Sequence, residues 1–295
     1  MARETTVVHS SDYANWLFSK DHPTQGRRFI NGFNSLKVNQ RVLAPRPATV
    51  EELTRVHSPE YINEVLYEHT CHEWGGARED LAGFARLFAG GTLVALSTLL
   101  EGSANLAIHL PGAKHHAQRG HSSGFCVFND FAIAADIATK DHGRKVAILD
   151  IDAHHGDGVE NLTADNSNVL TFSIHESGIF PGSGTENDPE RNIYNFPLTD
   201  RTGKNDSALL AGVIKFISVA RAFNPDLLFV TSGADGLTDD PLTNLQYTVT
   251  GYANAARLVV EAFPSTPILM GGAGGYLPDS GTPDVWASVA REFAK

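Results

Sequence analysis

The chain has 295 residues, 42% hydrophobic and 19% charged, with a formal net charge of −11. That length can bury a substantial core, and the composition excludes a disordered or low-complexity chain. The acidic balance disfavours sequence-independent binding to nucleic-acid phosphates and favours approach of cationic substrates, although net charge speaks first to solubility.

In chain order, "MARETTVVHS" lacks the long apolar region of a secretory signal, and "TTVVH" (5–9) reads as a first strand. The stretch 44–65, "APRPATVEELTRVHSPEYINEV", reads as an extended lead-in and two short helices, with Ser58 capping the second and Pro59 at its first position. A helix over 81–101 follows, with Leu81, Phe84, Ala85, Phe88, Leu93, Leu96 and Leu100 at core-facing spacing. Its apolar part, 87–100, is too short and interrupted to span a bilayer. Strands are expected at 104–110, 145–152, 168–175, 226–233 and 266–272, with helices at 129–140, 205–222 and 245–263. The strands are nearly continuous in apolar residues, as parallel strands covered on both faces should be. This predicts a three-layer α/β/α fold around a central, mostly parallel sheet, and with no Pro, Gly or Ser-rich linker, one domain over 1–295. Only Cys71 and Cys126 are present, so no disulfide framework is indicated, and a cytoplasmic location is the expectation.

The polar clusters fall just after these strands. His115 and His116 follow the strand at 104–110, "DIDAHHGDG" (150–158) ends the strand at 145–152, Asp235 follows 226–233, and Tyr276 follows 266–272. Ligands of open parallel sheets bind beyond the carboxyl ends of the strands. Clustered carboxylates and imidazoles near a core need a partner, and a metal ion supplies one. In an extended segment residues two apart point the same way, so Asp152 and His154 can reach one ion, with Asp235 as a third ligand. Three ligands leave a position open for water, as catalytic zinc sites do, although iron(II) or cobalt suits the same donors. Asp150 shares that parity and is a candidate orienter of a catalytic group, whereas His155 points away and reads as structural.

Beside such a site the tandem histidines offer an acid/base pair, and Tyr276, on the glycine-rich "GGAGGY", offers a donor to a developing oxyanion. Cys126, in "GFC", reads as a small buried hydrophobe.

The chain resembles the zinc-dependent histone deacetylase and acetylpolyamine amidohydrolase family, whose members share the arginase-type fold. The resemblance rests on "HPTQGRRF" (22–29), "VHSPEYINEV" (56–65), "LPGAKHHA" (110–117), "SGFCVFND" (123–130), "DIDAHHGDGVE" (150–160), "FPGSG" (180–184), "SGADGLTDDPL" (232–242) and "GGAGGY" (271–276). It implies zinc on Asp152, His154 and Asp235, and a dyad of His115 backed by Asp150 and His116 backed by Asp157, with His116 as principal general base and acid. It further implies that Tyr276 polarises the scissile carbonyl, that Gly124, Phe125 and Phe180 wall an acyl-lysine channel, and that Leu242 sits at its rim. Potassium on main-chain oxygens of Asp150, Asp152, His154, Ser173 and Ile174 is implied in the same way. The expected reaction is hydrolysis of an acyl-amine bond to a carboxylate and a free amine.

Between Tyr61 and Leu81 the chain lacks most of a loop that, in many relatives, carries an aspartate gripping the substrate backbone, and neither Glu79 nor Asp80 aligns to it. A small acylated amine such as an acetylpolyamine is therefore an alternative to an acylated lysine in a protein. An arginase-type ureohydrolase would need bridging carboxylates, but Gly156, Gly233 and Leu237 stand where they would be sought. A metal-bearing binder without turnover has no use for a general base.

Overall fold

The computed structural model describes residues 3–199, 201 and 203–295. Among them lie β1 (Thr5–Val8), β2 (Gln40–Leu43), β3 (Leu106–His109), β4 (Val146–Asp150), β5 (Val169–Glu176), β6 (Ile193–Leu198), β7 (Leu227–Thr231) and β8 (Ile268–Gly271). They form one sheet in the order β2-β1-β3-β8-β7-β4-β5-β6, every pair parallel. Every residue of β3, β4, β7 and β8 is buried, which explains their unbroken apolar runs.

The helices are α1 (Arg27–Ser35), α2 (Val50–Thr54), α3 (Pro59–Leu66), α4 (Glu79–Leu100), α5 (Asp130–Asp136), α6 (Asp157–Thr163), α7 (Asp206–Phe223), α8 (Val249–Ala262) and α9 (Gly281–Phe293). They pack in two runs, α1–α9–α8–α7 and α3–α4–α5–α6, that cover the sheet. The expected short helices after residue 44 are present: Thr49 and Glu52 form a capping box on α2, and the Ser58 hydroxyl accepts from Tyr61 N at the start of α3, with Pro59 in its first turn.

Some expectations need correction. The edge strands β2 and β6 carry no unbroken apolar signal: β2 is half exposed, and β6 contains Pro197, which a sheet tolerates at its edge. Helices α1, α6 and α9 were not anticipated, although Val285, Trp286, Val289, Ala290 and Phe293 of α9 are buried at helical spacing. The apolar stretch 87–100 is the continuation of a 22-residue helix, α4, long and apolar enough by length and composition to cross a membrane. Its apolar face instead packs on β1, β3, β8 and α5, with Leu81, Phe88, Leu96 and Leu99 buried.

His57 ties the α3 entry to the loop before α5. One ring nitrogen, Nδ1, donates to Gln118 O (2.9 Å), and the other, Nε2, accepts from Asn129 N (2.9 Å). Protonation would set two N–H groups against each other, and burial pushes the imidazole down to about 4. The neutral form is favoured by folding, so its contribution is complete above the unfolded value near 6.5 and is lost as pH falls from there through about 4. The shift corresponds to roughly 3 kcal/mol. We expect Tm to fall over that interval in wild type and the slope to be shallower in His57→Gln; equal slopes in thermal melts from pH 7 to 4 would exclude this role.

Candidate active site

The strand order puts the ends of β3, β8, β7 and β4 side by side, so the segments 110–117, 271–276, 231–235 and 150–157 meet at one place. At the centre Asp152, His154 and Asp235 present ligand atoms within 4.8 Å of one another, all buried. His154 Nδ1 lies 2.9 Å from Asp235 Oδ2 and 3.3 Å from Asp152 Oδ1. Backbone amides aim the carboxylates: His154 N and Gly274 N donate to the two oxygens of Asp152 (2.9 and 2.8 Å), and Ala153 N donates to Asp235 Oδ1 (2.9 Å). At Gly274 a Cβ would stand 2.4 Å from Asp235 Oδ2 and 2.6 Å from Asp152 Oδ2, so only glycine closes the cradle. Strand β4 ends at Asp150, and residues 152–154 bend; the ligands converge through these amide bonds and not through the strand parity expected from the sequence. No other group of three or more such ligands occurs among the described residues.

The dyad stands beside this cluster. His115 Nδ1 is 2.7 Å from Asp150 Oδ2 and His116 Nδ1 is 2.7 Å from Asp157 Oδ1, with the two rings 4.0 Å apart. Asp152 N steadies Asp150, and Gln118 Nε2 steadies Asp157 (3.0 and 2.8 Å). The two imidazoles are driven apart. Burial and the neighbouring His115 push His116 down to about 4, whereas Asp150 and Asp152 overcome burial and lift His115 to about 9. At neutral pH this leaves a neutral His116 beside a charged His115, the division of labour that separates a base from an electrostatic partner.

Tyr276 closes the opposite side. Its N–H donates to Asp240 Oδ2 (2.9 Å), and Arg28, bonded to Gly275 O (2.8 Å), lies 5.7 Å from its ring. Burial holds the phenol well above its usual range, hence protonated and able to donate. A cavity of about 370 Å³ opens onto these groups, lined by Glu73, His116, Gly124, Phe125, His154, Ile179, Phe180, Leu242 and Tyr276. Phe180 and Leu242 are 49% and 38% exposed and form its mouth. Gly124 and Phe125 both have positive φ (55° and 63°), and a Cβ at Gly124 would sit 2.3 Å from the His116 ring, so the narrow wall depends on that glycine.

His115, His116, Asp150, Asp152, His154, Asp157, Asp235, Tyr276, Gly124, Phe125, Phe180 and Leu242 therefore gather around one cavity or directly behind it. Asp150 pairs with Ser173 across β4 and β5, with Ile174 next in β5. His155 bonds Ser183 and Glu160 (2.8 and 3.0 Å), in keeping with its structural reading. Cys126 is buried, its thiol pushed up to about 12 by burial. Of the acids between Tyr61 and Leu81, Asp80 pairs with Arg78 on the surface. Glu73, which sequence reasoning passed over, is the one in the cavity wall, where it accepts from Phe125 N (2.8 Å). It lies in an irregular segment whose periodicity carries no signal. Asp240 was also missed; its carboxylate joins Tyr276 N to Leu242 N.

A parallel α/β sheet with such donors at its carboxyl edge puts a candidate metal site where open α/β sheets bind their ligands. The histone deacetylase domain model matches residues 20–293, and the chain belongs to the histone deacetylase family, as a deacetylase-type hydrolase. It is similar to the acetoin utilization protein AcuC of Bacillus subtilis (strain 168), with 33% identity over 99% of this chain and 81% of that protein. The protein of the same name from Staphylococcus aureus (strain MRSA252) is 31% identical over 99% and 80%. Among solved structures, the HDA15 HD domain superposes with a TM-score of 0.86 at 25% identity, covering 99% of this chain and 91% of that one.

Proposed function

We propose that the chain is a zinc-dependent deacylase that removes acetyl or another short acyl group from lysine side chains, working as one domain. The observation that carries this reading is that a neutral, carboxylate-backed imidazole, a protonated tyrosine and a buried Asp/His/Asp cluster all border the same narrow cavity. The cluster fits a divalent cation, since two buried carboxylates and a ring nitrogen converge in a cradle of backbone amides. Zinc held by Asp152, His154 and Asp235 supplies Lewis acidity toward the acyl carbonyl and the attacking water. A potassium ion on main-chain oxygens of Asp150, Asp152, His154, Ser173 and Ile174 belongs to the same reading.

The chain's own groups then have distinct tasks. Asp157 holds the Nδ1 proton of His116, which leaves Nε2 free to take a proton from water and return it to the departing amine. His115, its Nδ1 paired with Asp150, stands with its ring 4.0 Å from that base and completes the dyad. The Tyr276 hydroxyl donates to the carbonyl oxygen as negative charge develops there. Phe125 and Phe180 exclude water along the aliphatic stem of the substrate.

Hydrolysis of a small acylated amine is the second reading, favoured by the Glu73 carboxylate in the cavity wall, which suits a cationic substrate. A panel of acetyl-, butyryl-, octanoyl- and lactyl-lysine peptides beside acetylated putrescine and spermidine separates the two. Short-acyl peptides should react fastest, and Tyr276→Phe should slow them about 100-fold. Turnover of the polyamines alone would establish the second reading, and no turnover with zinc bound would defeat both.

A further inference from the structure

The dyad depends on an unusual turn. After His109 the chain passes through Pro111 and Gly112 to Ala113, whose φ of 62° is left-handed and costly for a residue with a side chain. Two neighbouring side chains clamp this loop. Asp130 accepts from Ala113 N (2.9 Å) with Oδ2 and from Lys114 N (2.7 Å) with Oδ1, while Asn129 Nδ2 donates to Ala117 O (3.0 Å).

Behind Asp130 runs a buried polar chain that the proposed reaction does not use. Thr92 Oγ1, on α4, bonds Asp130 Oδ2 and lies 2.9 Å from His109 Nδ1, and His109 Nε2 lies 3.0 Å from the Tyr13 hydroxyl. All four residues are buried. The helix leaves room for the imidazole at Gly91, where a Cβ would stand 2.5 Å from His109 Nε2.

Proton accounting gives this chain one direction. As a carboxylate Asp130 only accepts, so the Thr92 hydroxyl donates to it. The Thr92 oxygen then accepts from His109 Nδ1–H. Burial keeps His109 neutral, so its Nε2 bears no proton and accepts from the Tyr13 hydroxyl. Each member has one arrangement that satisfies its neighbour, which makes the network rigid.

We infer that Asp130 is a positioning residue for the histidine dyad: the chain Tyr13–His109–Thr92 fixes its carboxylate, and through the amides of Ala113 and Lys114 it delivers His115 to Asp150 and His116 to Asp157. The inference rests on the reading of His116 as the general base. Adjacent residues must reach two different carboxylates, so a small rotation at Lys114 misplaces both rings, and a displacement near 1 Å costs about 100-fold in rate.

The test uses the zinc-loaded enzyme, with zinc content measured for each variant. Thr92→Val keeps the shape and removes the hydroxyl; we expect kcat per zinc to fall about 10- to 100-fold with KM within about twofold of wild type, and Thr92→Ser to restore it. A lowered Tm with unchanged kcat per zinc would overturn the inference and leave the chain a structural network only. Should Thr92→Val not fold, Tyr13→Phe carries the test: a fall of about threefold or more in kcat at constant KM supports the inference, and a wild-type kcat overturns it. Wild-type enzyme without turnover would instead count against the deacylase reading, so the two failures are distinguishable.

Discussion

Asp235→Ala should yield a protein that folds, fails to retain zinc and hydrolyses acyl-lysine about 1,000-fold more slowly than wild type, a loss of several kcal/mol in transition-state stabilisation. Asp235 is fully buried, with Oδ1 bound to Ala153 N and Oδ2 facing the ring of His154. Without it His154 Nδ1 faces only Asp152, at 3.3 Å, and the three-donor set is broken. In the metal-free fold the loss of the acceptor for Ala153 N is offset in part by the removal of one of two like charges buried side by side. Zinc should therefore raise the Tm of wild type and leave that of Asp235→Ala unmoved. A variant that binds zinc stoichiometrically and still shows the Tm shift would place the metal elsewhere.

His116→Ala is expected to lower kcat by about 10²- to 10⁴-fold while leaving KM and zinc content near wild type. The separation arises because His116 touches the cavity and Asp157 but none of the three metal-facing groups within hydrogen-bond distance. His115 does not replace it, because His116 and not His115 lines the cavity that receives the substrate. Steady-state kinetics with zinc analysis on the same preparations checks this. A parallel loss of zinc, or a rise in KM with kcat intact, would show that the residue serves binding instead.

The central strands were legible because β3, β4, β7 and β8 are buried on both faces, so burial alone writes an apolar run into them. The edge strands β2 and β6 pack one side at most and left no such trace. The chemistry was legible for a related reason: Asp150, Asp152, His154 and Asp235 are polar residues at the ends of apolar strands, where each stands out. Residues that act from irregular segments did not stand out. Glu73 lies between α3 and α4 with no period to mark it, and Asp240 reads as one more acid in a turn. The members of the network around Asp130 lie 16 to 117 residues away from it in sequence, from Lys114 to Tyr13, so only the folded chain reveals that they form one network.

The proposed reaction requires one divalent ion on Asp152, His154 and Asp235. Its most direct test is a zinc titration of protein stripped of metal, following release of acetate from an acetyl-lysine peptide. Activity should rise linearly and break near one zinc per chain, in step with the gain in Tm. Full activity in the stripped protein, or zinc bound at that stoichiometry with no hydrolysis, would contradict it.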